Sequence, residues 1–162
     1  MVLFSFTTIA DEWKSINLME KVTVSLPGTP LSDNTKGIPL QKVVLADSSE
    51  AIASIVDFST FGLTEEMLQQ LAGTDQFKQM MESQVANQTG VKIIKNEMGK
   101  FNDKYTMYDL VIESSNEALK GLLYQRTVFY KKYGINMMYK VGKKGLDEAV
   151  KDKLFNSLKI AE

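Results

Sequence analysis

The chain has 162 residues, 44% hydrophobic and 24% charged, with a formal net charge of −1, which suits one domain with a single core. It contains no histidine and no cysteine, so a histidine-based triad, a zinc hydrolase centre and a redox dithiol are excluded. The balanced charge sets up no global field for nucleic acid, and no apolar run approaches the ~20 residues of a membrane helix.

The opening "MVLFSFTTIA" is apolar, short and without a positive flank. Residues 1–17 read as an N-terminal arm or the remnant of a trimmed leader, and residues 18–162 as one domain. A leader would place the natural protein outside the cytoplasm, periplasmic or lipid-anchored. The first clear element is Leu18 to Leu26, where Val22, Val24 and Leu26 alternate with polar neighbours as in a half-buried strand. Pro27 to Pro30 then leaves the ladder, with Gly28 free to turn. A polar stretch, Ser32 to Lys36, precedes a strand around Gln41 to Ala46. "DSSE" at Asp47 to Glu50 is a turn, and Ala51 to Phe61 reads as a third strand.

Thr64 caps a helix, with Leu63 and Leu68 at the spacing of a hydrophobic staple and Glu65 and Glu66 at the positive end of the dipole. Gly73 breaks it. Thr74 caps a second segment, with Phe77, Met80, Met81 and Val85 as its apolar stripe, closed by Gly90. Strands follow at Val91 to Glu97 and Lys104 to Glu113, then a hairpin of Leu122 to Lys132 with Ile135 to Val141, in which Gly134 is the expected positive-φ residue. Leu146, Val150, Leu154 and Leu158, widened by Phe155, mark a terminal amphipathic helix. Turn-linked strands cannot be parallel neighbours. The expected fold is α+β: a single antiparallel sheet with a broken helix and a C-terminal helix packed on it.

The element order resembles the PsbP-like family, in an early strand ending "VSLPGTP", a strand like "ASIVDFS", a long helix, a meander and a closing "KLFNSLKI". That resemblance implies an α/β/α sandwich, closest to uncharacterised bacterial exported members. Because the family is united by fold, it transfers no function. It does imply that the Pro-Gly stretch is a corner between strands rather than a catalytic loop.

Two groups of side chains are candidate sites. Lys131, Lys132, Tyr133, Lys140, Lys143 and Lys144, with Tyr130 and Tyr139 nearby, could form a basic aromatic surface for an anion or an acidic protein patch. Against this stands the use of lysine to discourage edge pairing. Asp109, in an otherwise apolar strand, could be a general base, and Tyr105, Tyr108, Asp109 and Tyr124 could line a pocket between sheet and helix. Glu20 and Asp103 are further carboxylates, and Asn87 heads a glycosylation sequon. The leading expectation is a non-catalytic bacterial exported module that binds a protein partner, with no cofactor, no metal and no nucleic acid. The alternative is a small-ligand binder or carboxylate-dependent enzyme.

Overall fold

The computed structural model describes residues 12–33, 39–117 and 120–162. The opening apolar decapeptide and the polar residues after Asp33 lie outside the described residues. Strand β1 (Trp13–Met19) begins five residues ahead of the first strand expected. A register shift between Asn17 and Met19 breaks its alternation, which hides it from a period-two reading. β1 pairs with β2 (Val22–Pro27) through a turn in which Lys21 takes a φ of 65°. Val22, Val24 and Leu26 are fully buried, as their alternation requires. Gly28, at φ 116°, turns the chain out of β2. The corner stands where the Pro-Gly stretch predicts it.

The chain builds two sheets, not the single one expected. β10 (Lys159–Ile160) returns to pair with β2, giving a three-stranded sheet in the order β1-β2-β10. The second sheet has seven antiparallel strands in the order β3-β4-β5-β9-β8-β7-β6. These are β3 (Leu31–Asp33), β4 (Leu40–Val44), β5 (Glu50–Asp57), β6 (Val91–Phe101), β7 (Tyr105–Ser114), β8 (Gly121–Tyr130) and β9 (Tyr133–Lys140). The small sheet covers one face of the large one: Val22, Val24 and Leu26 pack with Ala51, Ala53, Ile135, Met137 and Tyr139 in the main core.

Two further expectations are corrected. β5 stops at Asp57 instead of running to Phe61, because the Asp57 carboxylate accepts from the Ser59 amide at 2.9 Å and caps a 3-10 helix, Phe58–Phe61. The β8–β9 turn takes its positive φ at Lys131 (52°), not at Gly134. Gly134 lies inside β9 for another reason: a Cβ there would sit 2.8 Å from the Phe58 ring.

The broken helix forms as its caps predict. Thr64 accepts from the Met67 amide and Thr74 from the Phe77 amide, starting α1 (Glu65–Leu71) and α2 (Asp75–Ala86). Leu68, Ala72 and Phe77 pack on Tyr108 and Phe129 of the sheet, with Phe77 edge-on to Phe129 at 5.3 Å and the Tyr108 hydroxyl donating to the Ala72 carbonyl. Met80 is turned out to solvent, off the expected stripe, and the helix ends at Ala86, ahead of Gly90. On the other face α3 (Glu148–Asn156) buries Leu154 and Phe155 beside β2. Among the described residues no helix is long and apolar enough to cross a membrane.

Tyr139 is fully buried, and its hydroxyl has no hydrogen-bond partner. A buried donor without a partner carries a desolvation cost. Tyr139→Phe should therefore leave the melting temperature unchanged or raise it. A clear loss of stability would show that the hydroxyl is satisfied in solution.

Candidate functional site

The seven-stranded sheet has unequal cover. On the face opposite the small sheet, α1 and α2 pack against β8 and β6, leaving the β3–β4–β5 side without a helix layer among the described residues. Register places three rows across this open half: Lys42, Ile52 and Met138; Leu40, Ser54 and Asn136; Val44, Glu50 and Lys140. Leu31 stands beside Lys42 at the edge. Leu31 is 69% exposed and Val44 54%, while Leu40, Ile52 and Met138 are half-buried. Apolar side chains therefore line a surface that no helix of the described chain covers. Glu50 is shared by two lysines, Lys140 at 3.2 Å and Lys42 at 3.8 Å.

One concavity borders this surface and a second lies on the small-sheet side. A crevice of about 180 Å³ runs under the flank of α2, lined by Val85, Leu123, Gln125 and Met138 among others. A larger cleft of about 410 Å³ opens between the sheets, where β1, β5 and the 3-10 helix meet. Its walls include Leu18, Met19, Ile55, Phe61 and Tyr133, with Asn17, Gln41 and Asp57 as polar groups.

The six basic and aromatic candidates do not form one surface. Lys131, Lys132 and Tyr133 lie at the β8–β9 turn, while Lys140, Lys143 and Lys144 lie at the other end of β9. Eight residues of strand set the two groups ~26 Å apart at the usual rise. Lys132 pairs with Asp57 at 2.9 Å and stacks over Tyr133 at 5.2 Å, beside the larger cleft. Lys131 lies over Tyr130. Lys140 joins the open face through Glu50, and the Lys143 amide donates to the Asp47 carbonyl at 2.8 Å. Tyr139 belongs to the core.

The four pocket candidates divide by strand parity. Tyr108 faces α1 and α2, whereas Tyr105 and Tyr124 pack on the side of the small sheet. Asp109 shares that second side and is held by Arg126, with two contacts of 2.7 Å. The guanidinium in turn lies 5.2 Å from the Phe155 ring. Asp109 thus anchors the α3 side of the sheet, and its two oxygens are committed to Arg126. Glu20 and Asp103 occupy turns, and Asn87 is the C-cap of α2.

Asp57 is the most perturbed carboxyl near a concavity. The Ser59 hydroxyl, and after it Lys132, pull it from 3.8 down to about 2. Because the folded value lies below the unfolded one, this capping interaction is fully present above pH 3.8 and is lost as pH falls through about 2. A carboxyl-carbon NMR titration should place the Asp57 midpoint near 2, and Ser59→Ala should move it back towards 3.8. A midpoint near 3.8 in the unaltered protein would refute the capping geometry.

No protein-family model and no curated protein matches the chain. Among solved structures it is similar to cyanobacterial PsbP from Synechocystis sp. PCC 6803, with a TM-score of 0.60, 10% sequence identity and 99% of each chain covered. A Pseudomonas aeruginosa protein of unknown function aligns over 82% of this chain and 84% of its own, at 13% identity and a TM-score of 0.45. The fold is PsbP-like. At such identities the likeness is one of architecture alone.

Proposed function

We propose that this PsbP-like chain is a non-catalytic interaction module that docks a protein partner on the helix-free half of its large sheet. The observation that carries this reading is the exposure of Leu31 and Val44 beside the half-buried Leu40, Ile52 and Met138. Exposed apolar patches mark interaction sites in soluble domains, and here Lys42 and Glu50 are interleaved with the apolar side chains. The composition supports it from another side, since without histidine or cysteine a base or nucleophile must come from weaker groups. The strongest carboxylate candidate, Asp109, already spends both oxygens on Arg126. The reading extends to a bacterial exported protein, in keeping with the fold shared with cyanobacterial PsbP.

The test is a photoreactive amino acid at Val44 in the protein expressed in its native cells. It should capture one discrete protein, and Leu31→Asp should abolish that capture. The same group at Met67, on the outer surface of α1, is the control. Equal capture at both positions, or none at Val44, would overturn the docking reading.

One observation favours a second reading. The 410 Å³ cleft beside Tyr133 and Lys132 falls within the ~300–1,000 Å³ range of small-molecule sites. A small amphipathic ligand carried there would protect Phe61 and Tyr133 rather than Val44 from surface labelling.

A further inference from the structure

Resting on the second reading above, we infer that the cleft between the sheets takes an uncharged molecule, a compact ring-bearing body with one neutral hydrogen-bonding group, and excludes organic ions. Its apolar walls are Leu18 and Met19 of β1, Ile55 and Val56 of β5, and the rings of Phe61 and Tyr133. At about 410 Å³ it lies near the small end of the ~300–1,000 Å³ range of such sites, which suits a compact body rather than a long lipid chain. Phe61 is 70% exposed, more than any other large apolar side chain among the described residues. The turn holds it there: Asp57 caps the 3-10 helix at one end, and Gly62, at φ 79°, closes it at the other. Its ring neighbour is Phe58, at 5.9 Å. An aromatic ring left bare at the mouth of an apolar cleft favours a ligand that brings a ring of its own.

Charge is excluded because the charges at the cleft are already matched. Among the described lining residues Asp57 alone carries one. One of its oxygens accepts from the Ser59 amide and hydroxyl, at 2.9 and 2.5 Å, and the other meets the Lys132 ammonium at 2.9 Å. Glu20 and Lys21, in the neighbouring turn, are exposed and lie outside the lining. A ligand cation therefore finds no free carboxylate there, and a ligand anion no free ammonium. Either would leave water for a place without a counter-charge, which is strongly unfavourable. Neutral hydrogen bonding remains. The Thr60 hydroxyl donates to the Asp57 carbonyl at 2.7 Å, and Gln41 pairs with Ser32. Asn17 differs from both: its side-chain amide makes no hydrogen bond among the described residues, so it offers donors and an acceptor without charge.

The test uses two dyes with one skeleton, N-phenyl-1-naphthylamine and its sulfonated analogue 8-anilino-1-naphthalenesulfonate, so that charge is the difference between them. Each is titrated into the full chain and read by fluorescence. The neutral dye should fill one saturable site, and the sulfonate should bind at least about tenfold more weakly. Phe61→Ser, at an exposed position where the melting temperature should not move, should weaken the neutral dye by about tenfold. Asn17→Ala should weaken it by about fivefold. Asn17→Lys supplies the missing counter-charge and should turn the preference towards the sulfonate. Leu31→Asp, on the helix-free half of the large sheet, should change neither dye.

Equal or tighter binding of the sulfonate by the unaltered chain would overturn the inference. If Phe61→Ser then weakens both dyes, the cleft remains a ligand site and only the demand for neutrality falls. No saturable binding of the neutral dye, or binding that Phe61→Ser and Asn17→Lys leave untouched, would end the cleft reading as well. Neither result touches the docking reading, which rests on capture at Val44.

Discussion

A chain truncated after Gly145 should not fold. The removed segment, residues 146–162, supplies α3 and β10, and both lie on β2. Leu154 is fully buried, Phe155 and Leu158 nearly so, and all three belong to the main core with Val22, Val24 and Leu26. Polar ties reinforce the seat. The Ser157 hydroxyl accepts from the Ser25 amide at 2.9 Å, and the Ala161 amide donates to the Lys21 carbonyl at 2.8 Å. A helix of nine residues is marginal by itself in water, so α3 exists because it docks. Removing it would open one side of the core that Val22, Val24 and Leu26 share and leave one edge of β2 unpaired.

The graded form of the experiment is Leu154→Ala. A buried leucine cut to alanine costs ~2–5 kcal/mol, a large share of the ~5–15 kcal/mol that holds a typical domain. Urea unfolding should show a lower midpoint with an unchanged slope, since the cavity alters stability and not the surface exposed. If the truncated chain melts cooperatively at the full-length temperature, the segment is an appendage and its apolar stripe awaits a partner.

Local signals in the sequence carry furthest. The caps Thr64 and Thr74 act within three residues of themselves, so the break near Gly73 is legible in the sequence alone. The alternation of β2 and β7 is legible for the same reason. What escapes is long-range. β10 pairs with β2 from the opposite end of the chain, and no spacing within either segment announces a second sheet. Likewise β9 inserts between β5 and β8, a strand order that decides where the helices α1 and α2 leave the sheet uncovered.

The candidate pocket illustrates the limit in another way. Tyr108 and Asp109 are adjacent in one strand, and adjacent strand residues point to opposite faces. Period two alone argues against their sharing one wall. The open face does leave a trace: β5 carries apolar residues on both parities, Ala51 and Ala53 on one and Ile52 and Val56 on the other. Both parities apolar in a strand imply cover on both faces, yet Ile52 and Val56 are only half-buried. Reading that trace requires knowing which face the helices have already taken.

Gly142→Ala should be the most damaging small substitution outside the core. Gly142 lies just beyond β9, where the chain passes against the turn joining β4 to β5. A Cβ there would stand 2.5 Å from the Ser49 amide nitrogen and 2.6 Å from the Asp47 carbonyl oxygen. Both are backbone atoms and neither can rotate away. The turn is itself held tightly: Asp47 accepts from the Ser49 amide and hydroxyl, at 3.0 and 2.6 Å, and Ser49 is fully buried. The Asp47 carbonyl also takes the Lys143 amide, so moving the turn breaks the contact that ties it to the chain after β9. Overpacking costs ~1–3 kcal/mol where neighbours can yield, and here the yielding parts are main chain, which places the cost at the upper end. At ~2–4 °C per kcal/mol for a domain of this size, the melting temperature should fall by roughly 6–12 °C. Gly99→Ala provides the comparison, because the only close atom there is the terminal methyl of Met107 at 3.1 Å, which can swing aside. Equal losses at the two positions would mean that the turn and the end of β9 are not locked together.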